Sequence, residues 1–228
     1  MVTEALEAQM TLAEQNQALM TNFMNQLSGE QQTIVQQEMG KIVSSGLGEK
    51  VIKTGSTVPD FSLIDASGND IRLYELLQNG PVVISFYRGG WCPFCSLEFK
   101  ALMDIYPQVK TMGAELIAIS PQTHHHSVST VSDLAIKFPV LSDPANQVTK
   151  RFGLLFTMPH AIQVLYKEWG LDVPTANGSD SYDLPVPATY IVGSDGTVVD
   201  AYINVNYTER MEPAEIIKSL GKIQAAME

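Results

Sequence analysis

The spacing of hydrophobic positions changes near residue 50 and divides the chain into two predicted parts. Residues 1–50 contain no proline, and one stripe of positions recurs there at alternating steps of four and three, the spacing of one helix face. The stripe consists of Leu6, Met10, Ala13, Gln17, Met20, Met24 and Leu27. Ser28, in the break "LSGEQQ", is a predicted cap of a second helix. The first part is therefore expected to be an N-terminal helical arm.

Short apolar runs rich in β-branched residues predict the strands of the second part. The runs "PVVISFY" and "AELIAIS" are typical of strands buried in a mixed or parallel sheet. In "ATYIVGSDGTVVDAYI", two alternating runs flank Asp-Gly, which is a hairpin signal. Helices are predicted from Pro93, after the strand "AELIAIS" to about Phe138, up to Gly153, and at the C-terminus.

This alternation predicts an α/β thioredoxin-like fold, with a central mixed sheet flanked by helices. Residues 1–50 are assigned to the arm and residues 51–228 to the thioredoxin-like domain, while residues 155–184, rich in Gly, Pro and Asp, are expected to be irregular. The favoured interpretation of the arm is that it packs on its own domain. The alternative is that it clasps a second subunit in a homodimer.

The charge balance limits the partners. A formal charge of -11 and a pI near 4.7 argue against nucleic acid or an anionic membrane, because either would repel this surface. No apolar stretch is long enough to span a bilayer, and the N-terminus lacks a basic region followed by an apolar run. The expected location is the cytoplasm.

The two cysteines of the chain, Cys92 and Cys95, lie where a predicted buried strand turns into a helix. A helix N-terminus favours thiolate over thiol, and a C-x-x-C pair there can close into a disulfide without large backbone movement. With Pro93 as the first helical residue, Cys92 is expected to be an outward-facing cap and Cys95 to lie in the first turn. Trp91 is expected to form part of an apolar rim for a substrate.

Metal binding and an inert buried pair are the alternatives for these cysteines. A metal site needs two more ligands, and the candidates are His124, His125, His126 and His160. The spaced histidine pair typical of zinc sites is absent, so neither a metal nor a cofactor is expected. The triple histidine is predicted to lie in a solvated loop.

Several segments together resemble the peroxiredoxin superfamily, the alkyl hydroperoxide reductase and thiol-specific antioxidant (AhpC/TSA) group. These segments are "GSTVPDFSL", "FYRGGWCPFCSLEF", "IAISPQ", "FPVLSDPANQVTKRFGL" and "LPVPATYIVGSDGTVVDA". The resemblance covers about residues 50 to 215 and is greater to the branch with a thioredoxin-type C-x-x-C. It implies a thiol-based redox enzyme, most simply a thiol-dependent peroxidase.

The resemblance also suggests roles for residues near the dithiol. Peroxiredoxins carry P-x-x-x-T-x-x-C after a strand, with an acidic residue three positions later. In this chain Arg88 stands at the proline, Cys92 at the threonine, Cys95 at the peroxide-attacking cysteine and Glu98 at the acid. The resemblance thus implies that Cys95 attacks first, whereas the thioredoxin-like order would start from Cys92.

The chain departs from the family before the strand "ATYIV". Peroxiredoxins place an arginine there to hold the thiolate, and this chain has Pro187. Thioredoxins place a cis-proline at this point, so the resemblance favours a cis peptide bond before Pro187. Arg88 could partly replace the missing arginine, although a solvated or salt-bridged role is the first interpretation. Arg151 and Arg210 are weaker candidates.

Two mechanisms remain open. As a peroxidase, the dithiol would reduce a hydroperoxide through a sulfenic acid and a Cys92–Cys95 disulfide, with thioredoxin or a glutathione-type reductant reopening it. As a thioredoxin- or glutaredoxin-like oxidoreductase, it would exchange with a protein or small-molecule disulfide instead.

Overall fold

A mixed sheet of seven strands lies at the centre of the part of the chain that the computed structural model describes, residues 10–226. In chain order the strands are β1 (Ser62–Asp65), β2 (Asp70–Arg72), β3 (Val82–Phe86), β4 (Glu115–Ser120), β5 (Val140–Ser142), β6 (Leu155–Thr157), β7 (Asp183–Pro185), β8 (Ala188–Val192) and β9 (Val198–Ile203). The strands β6 and β7 form a separate pair outside this sheet. The order across the large sheet is β2-β1-β5-β4-β3-β8-β9. The pairs β3·β4 and β4·β5 are parallel and the other pairs antiparallel, as expected for a mixed sheet.

Helices surround this sheet and precede it. In chain order they are α1 (Leu12–Gln26), α2 (Gly29–Val43), α3 (Leu73–Leu77), α4 (Pro93–Thr111), α5 (His124–Leu134), α6 (Gln147–Arg151), α7 (His160–Glu168), α8 (Val173–Asn177) and α9 (Pro213–Ala225). The α/β thioredoxin-like class predicted from the sequence is confirmed.

The central strand β3 is buried on both faces, which explains its uninterrupted apolar sequence. Successive residues of a strand point to opposite faces, so Val82, Ile84 and Phe86 enter one hydrophobic cluster and Val83 enters the other. The second cluster also contains both cysteines. The dithiol thus belongs to the core on the side of the sheet that carries α4 and α9.

The arm consists of α1 and α2, each of which begins with a reciprocal capping box, Thr11 with Glu14 and Ser28 with Gln31. The predicted cap at Ser28 is therefore confirmed, while Leu6 of the predicted stripe lies outside the described residues. Helix α1 packs against α4, and α2 packs against α7 of the same chain. The boundary near residue 50 and the homodimer stay predictions.

The prediction that residues 155–184 are irregular is wrong. They form β6, α7, α8 and β7, and β6 pairs with β7. Three buried side chains of α7 follow helical spacing, Ile162, Leu165 and Tyr166. The prolines and glycines of this stretch mark the ends of short elements, and their density concealed the helical period.

The triple histidine lies in the first turn of α5, not in a loop, and Thr123 caps this helix through a hydrogen bond from the His126 N–H. His124 and His125 are exposed, so the expected solvation is correct. The helix ends at Leu134, short of the predicted Phe138, because Ala135 adopts a left-handed conformation.

Gly80 sets the approach of β3 to its neighbour β4. Its φ is +146°, and a Cβ added there would lie 2.0 Å from the carbonyl oxygen of Gly113, just before β4. We predict that backbone strain in Gly80→Ala lowers the free energy of unfolding by about 1–3 kcal/mol, and that the clash with Gly113 lowers it further. The measurement is a urea titration followed by circular dichroism.

Gly221→Ala is the matched control, since Gly221 lies in α9 with no atom within 4 Å of an added Cβ. This change should leave stability unchanged or raise it by up to about 1 kcal/mol through helix propensity. Equal effects of the two substitutions would contradict the tight approach at Gly80.

Candidate active site

The dithiol lies at the junction of the central strand β3 and helix α4. Pro93 is the first residue of α4, Cys92 caps the helix, and Cys95 lies in its first turn, as predicted. The expectation that Cys92 faces outward is wrong, because its exposed fraction is 1% and that of Cys95 is 0%. Both thiols are free. The helix start therefore holds two core thiols rather than one surface thiol and one buried one.

Close packing fixes the loop that leads to Cys92. A Cβ added to Gly89 would lie 2.2 Å from the Trp91 indole nitrogen, and one added to Gly90 would lie 2.2 Å from Oγ1 of Thr130. The side-chain oxygen of Gln122 accepts a hydrogen bond from the Gly90 N–H at 2.9 Å. These two glycines leave room for the indole and the α5 side chain, which explains the repeated glycine before the dithiol.

Arg88 is buried beside Cys92, with an exposed fraction of 3%. Its Nη1 lies 3.8 Å from Cys92 Sγ, and its Nη2 donates a 2.7 Å hydrogen bond to the Tyr166 hydroxyl. No carboxylate lies within ion-pair distance of it in the described range 10–226. The interpretation of Arg88 as a solvated or salt-bridged residue is therefore wrong.

Aromatic rings surround the Arg88 guanidinium. Its central carbon lies 5.1 Å from the ring centroid of Trp91, 5.7 Å from that of Tyr166 and 4.2 Å from that of Tyr207. Cation–π attraction strengthens when the cation is withdrawn from water, so these faces stabilise the charge without neutralising it. Tyr166 belongs to the stretch predicted to be irregular, and neither tyrosine was a sequence candidate.

A second arginine, Arg210, reaches the dithiol from the segment between β9 and α9. Its Nη2 lies 3.5 Å from Cys95 Sγ, and its Nε donates a 2.6 Å hydrogen bond to Glu98 in a fully buried ion pair. Arg210 was among the weaker sequence candidates, because no local motif marks it. Its guanidinium lies beside Cys95, whereas Pro187 stands where the family pattern has an arginine.

The two thiols differ in pKa. Burial opposes ionisation of Cys92, but a hydrogen bond with the Cys95 thiol and the positive charges of Arg88 and Arg210 lower its pKa to about 5. Burial and the negative charge and hydrogen bond of Cys92 raise the pKa of Cys95 well above its ordinary value. Arg210 acts in the opposite direction on Cys95, but Glu98 already pairs with that charge. These opposite shifts favour a thiolate at Cys92 over one at Cys95.

Glu98 is buried between Arg210 and Ser85, whose hydroxyl lies 3.4 Å from the carboxylate. Burial raises the pKa of Glu98 to about 7, although the Arg210 charge opposes the rise. Near neutrality this carboxyl group can accept or release a proton close to Cys95.

The remaining sequence candidates lie around this centre. Trp91 is half-buried and packs edge-on against Tyr166, with ring centroids 5.8 Å apart. Pro187 is buried just before β8, where Ala188 pairs with Phe86 at the end of β3, and its preceding peptide bond is trans. The expectation of a cis bond at Pro187 is not met.

A cavity of about 320 Å³ opens at Cys92. Its lining is mostly apolar, and the arm, the loop before α4, and the region around α7 each contribute: Leu19, Asn22, Phe23, Gln26, Arg88, Trp91, Cys92, Pro93, Phe94, Tyr166, Trp169, Leu171 and Tyr207. Trp91 thus contributes to an apolar wall, as expected. A cavity of this size accommodates an organic molecule.

Residues 10–226 contain no cluster of three or more His, Cys, Asp or Glu side chains that could hold a metal ion. None of the helices in this range combines the length and the apolar sequence needed to cross a bilayer.

A dithiol at the start of the helix after a buried central strand defines a thiol oxidoreductase of the thioredoxin fold. A sequence profile of the AhpC/TSA family matches residues 54–201, and the chain belongs to this family. Peroxiredoxin Q, chloroplastic, of Sedum lineare is 31% identical over 174 residues, covering 75% of this chain and 80% of that protein.

Two further comparisons agree with this membership. The thiol-disulfide oxidoreductase ResA of Bacillus thuringiensis is 24% identical over 165 residues, which are 72% of this chain and 78% of that protein. The crystal structure of peroxidoxin BcpB from Mycobacterium tuberculosis superimposes with a TM-score of 0.59 at 26% identity, covering 76% of this chain and 97% of that one.

The position of the Arg88 guanidinium beside Cys92 predicts how the Cys92 thiol titrates with pH. Thiolate alone is alkylated, so the rate of Cys92 modification by iodoacetamide should rise with pH through a midpoint of about 5 and then remain level. We predict that Arg88→Met raises this midpoint by about 1–3 pH units, because an opposite charge within about 4–6 Å lowers a pKa by that amount.

Arg151→Met is the matched control, since Arg151 is an exposed arginine on α6. The modified cysteine is identified by peptide mass spectrometry at each pH. A midpoint that moves equally in both variants, or in neither, would contradict the assigned role of Arg88.

Proposed function

We propose that the protein is a thiol-dependent peroxidase in which Cys92 is the attacking thiolate and Cys95 the resolving thiol. One observation carries this proposal: Cys92, with its pKa lowered to about 5, lines an organic-sized cavity beside Arg88, which has no carboxylate partner within residues 10–226. Membership of the AhpC/TSA family supports the reaction class.

In the first step, the Cys92 thiolate attacks the terminal oxygen of a hydroperoxide ROOH. The O–O bond breaks, the sulfur gains OH to become a sulfenic acid, and the alkoxide leaves and takes up a proton. Arg88 stabilises the thiolate before attack, and its charge also favours the anion that departs. Trp91 and Phe94 form the apolar wall of the cavity that holds the hydroperoxide.

In the second step, Cys95 attacks the sulfenic sulfur of Cys92. The S–O bond breaks, a disulfide forms, and the OH leaves as water with the proton of the Cys95 thiol. Arg210, 3.5 Å from Cys95 Sγ, stabilises the developing thiolate, and Glu98 can take the proton in transit. The high pKa of Cys95 keeps it protonated until this step, so it does not compete for peroxide.

This order differs from the one that the family resemblance implies, in which Cys95 holds the peroxide-attacking position. The electrostatic surroundings favour Cys92, because Arg88 has no carboxylate neighbour in the described part of the chain, whereas the charge of Arg210 is shared with Glu98.

The second candidate function is disulfide exchange, in which Cys92 attacks the disulfide of a substrate. The similarity to ResA and the thioredoxin-like spacing of the cysteines favour it. For either function, the proposal includes a cytoplasmic location, turnover through an intramolecular disulfide, and recycling by thioredoxin or a glutathione-type reductant. It also includes a homodimer that forms through the arm.

Peroxide treatment of single-cysteine variants tests the order of attack. We predict that Cys95→Ser accumulates a sulfenic acid at Cys92, trapped by dimedone and located by mass spectrometry, because no resolving thiol remains. Wild type should instead lose both thiols and gain the Cys92–Cys95 disulfide after one equivalent of peroxide.

Cys92→Ser is the reciprocal control and should react with peroxide more slowly than wild type at pH 7, since burial, the first cause of the raised pKa of Cys95, remains in this variant. Dimedone labelling of Cys95 in Cys92→Ser at the wild-type rate would establish the opposite order. Two free thiols in peroxide-treated wild type would exclude the peroxidase itself.

A further inference from the structure

The charge of Arg88 needs a counter-charge, and in the reduced protein the neighbouring Cys92 thiolate provides it. A buried cation without a partner is costly, since the low-dielectric interior does not replace lost hydration. Across residues 10–226 the other hydrogen-bond partner of Arg88 is the Tyr166 hydroxyl, which is neutral, and the Arg88 Nε has no hydrogen-bond acceptor.

Oxidation of the dithiol removes this counter-charge. In a Cys92–Cys95 disulfide neither sulfur carries a charge, so Arg88 faces only neutral groups among its described neighbours. Glu98 does not substitute, because it lies against Arg210 at 2.6 Å on the Cys95 side of the dithiol. The oxidised protein thus holds a buried cation that an incoming anion can satisfy.

The cavity at Cys92 brings such an anion to the disulfide. Arg88 and Cys92 both line it, whereas Cys95 does not, so a molecule in the cavity meets the Cys92 sulfur and the guanidinium together. Arm side chains cover it, and Phe23 contacts Trp169 edge-on with ring centroids 5.2 Å apart. With Cys92 only 1% exposed, a folded protein reductant cannot place its sulfur there while the arm is in this position.

We propose that the reductant of the disulfide is a low-molecular-weight thiol bearing a carboxylate, bound in this cavity with its carboxylate at Arg88. This inference rests on the proposed function, in which the protein cycles through a Cys92–Cys95 disulfide. It names the chemical class of the reductant, which the fold and the family membership leave open.

The reduction proceeds in two exchanges. The thiolate of the first reductant molecule attacks Cys92 Sγ, the S–S bond breaks, and Cys95 leaves as a thiolate beside Arg210 and takes up a proton. A second reductant thiolate attacks the reductant sulfur of the mixed disulfide and releases Cys92 as a thiolate beside Arg88. Two thiols are oxidised to one disulfide, and the protein dithiol is restored.

The experiment compares matched thiols on the isolated oxidised protein. The disulfide is formed with diamide, so the result does not depend on peroxide reactivity, and its reduction is followed by counting free thiols in quenched samples. The probes are 3-mercaptopropionate against 3-mercaptopropanol, and N-acetylcysteine against N-acetylcysteine amide. Rates are compared per thiolate present, since only thiolate attacks.

We expect each carboxylated thiol to react at least about tenfold faster than its neutral partner, as a hydrogen-bonded buried charge pair allows. The net charge of -11 acts in the opposite direction, so a preference for the anion must come from a local site. The preference should vanish in Arg88→Met and persist in Arg88→Lys and in the surface control Arg151→Met.

Equal rates for the carboxylated and neutral thiols would overturn the proposal, as would a preference that survives in Arg88→Met. Faster reduction by micromolar thioredoxin than by millimolar carboxylated thiol would overturn it as well. Circular dichroism of Arg88→Met and Arg88→Lys verifies folding, and the Lys variant keeps the test decisive when the Met variant is unstable. Failure of the protein to react with peroxide would refute the proposed function alone.

Discussion

Arg88 is a cation withdrawn almost completely from water, with aromatic rings on its faces and no carboxylate within ion-pair distance across residues 10–226. Its charge therefore acts on the thiol of Cys92, whose sulfur lies 3.8 Å from the guanidinium. The rings of Trp91, Tyr166 and Tyr207 hold the guanidinium in place without neutralising it, which a glutamate in the same position would do. The lowered pKa of Cys92 depends on a buried cation that lacks a carboxylate partner within the described residues.

The second arginine makes the two sulfurs unequal. Both cysteines lie at the same helix N-terminus, so the helix dipole alone separates them little. Arg210 lies near Cys95 but forms an ion pair with Glu98, and the Glu98 carboxylate offsets much of its positive charge. Among residues 10–226, one sulfur thus faces a cation with no carboxylate partner and the other faces an ion pair. This difference lowers the pKa of Cys92 relative to that of Cys95.

The fold was predictable where local pattern and tertiary structure agree. The apolar run that forms β3, the proline that begins α4 and the Asp-Gly turn before β9 each act over a few residues, and each was found. The stretch 155–184 was not, because its short elements are bounded by prolines and glycines that suggest irregular chain. The spacing of Ile162, Leu165 and Tyr166 was the available signal for the helix there.

The dithiol and its sequence neighbours Arg88, Trp91 and Glu98 were predictable from the motif, but the groups that reach it from distant parts of the chain were not. Arg210 lies 115 positions after Cys95, and only the folded chain brings the two together. Tyr166 and Tyr207 reach Arg88 from two other parts of the chain, and tyrosine is too common in cores for either to stand out. The family pattern placed an arginine at Pro187, and the structure supplies the same group from elsewhere. The motif therefore identifies the two sulfur atoms that react, whereas tertiary contacts determine which of the two thiols ionises more readily.

The most direct test follows both cysteines separately during a pH titration. Selective ¹³Cβ labelling of cysteine in the reduced protein gives one NMR resonance for each residue, and its shift reports thiol or thiolate. We predict that the Cys92 resonance titrates with a midpoint of about pH 5, while Cys95 remains a thiol through neutral pH. A Cys95 resonance that titrates first, with Cys92 protonated at pH 7, would contradict it.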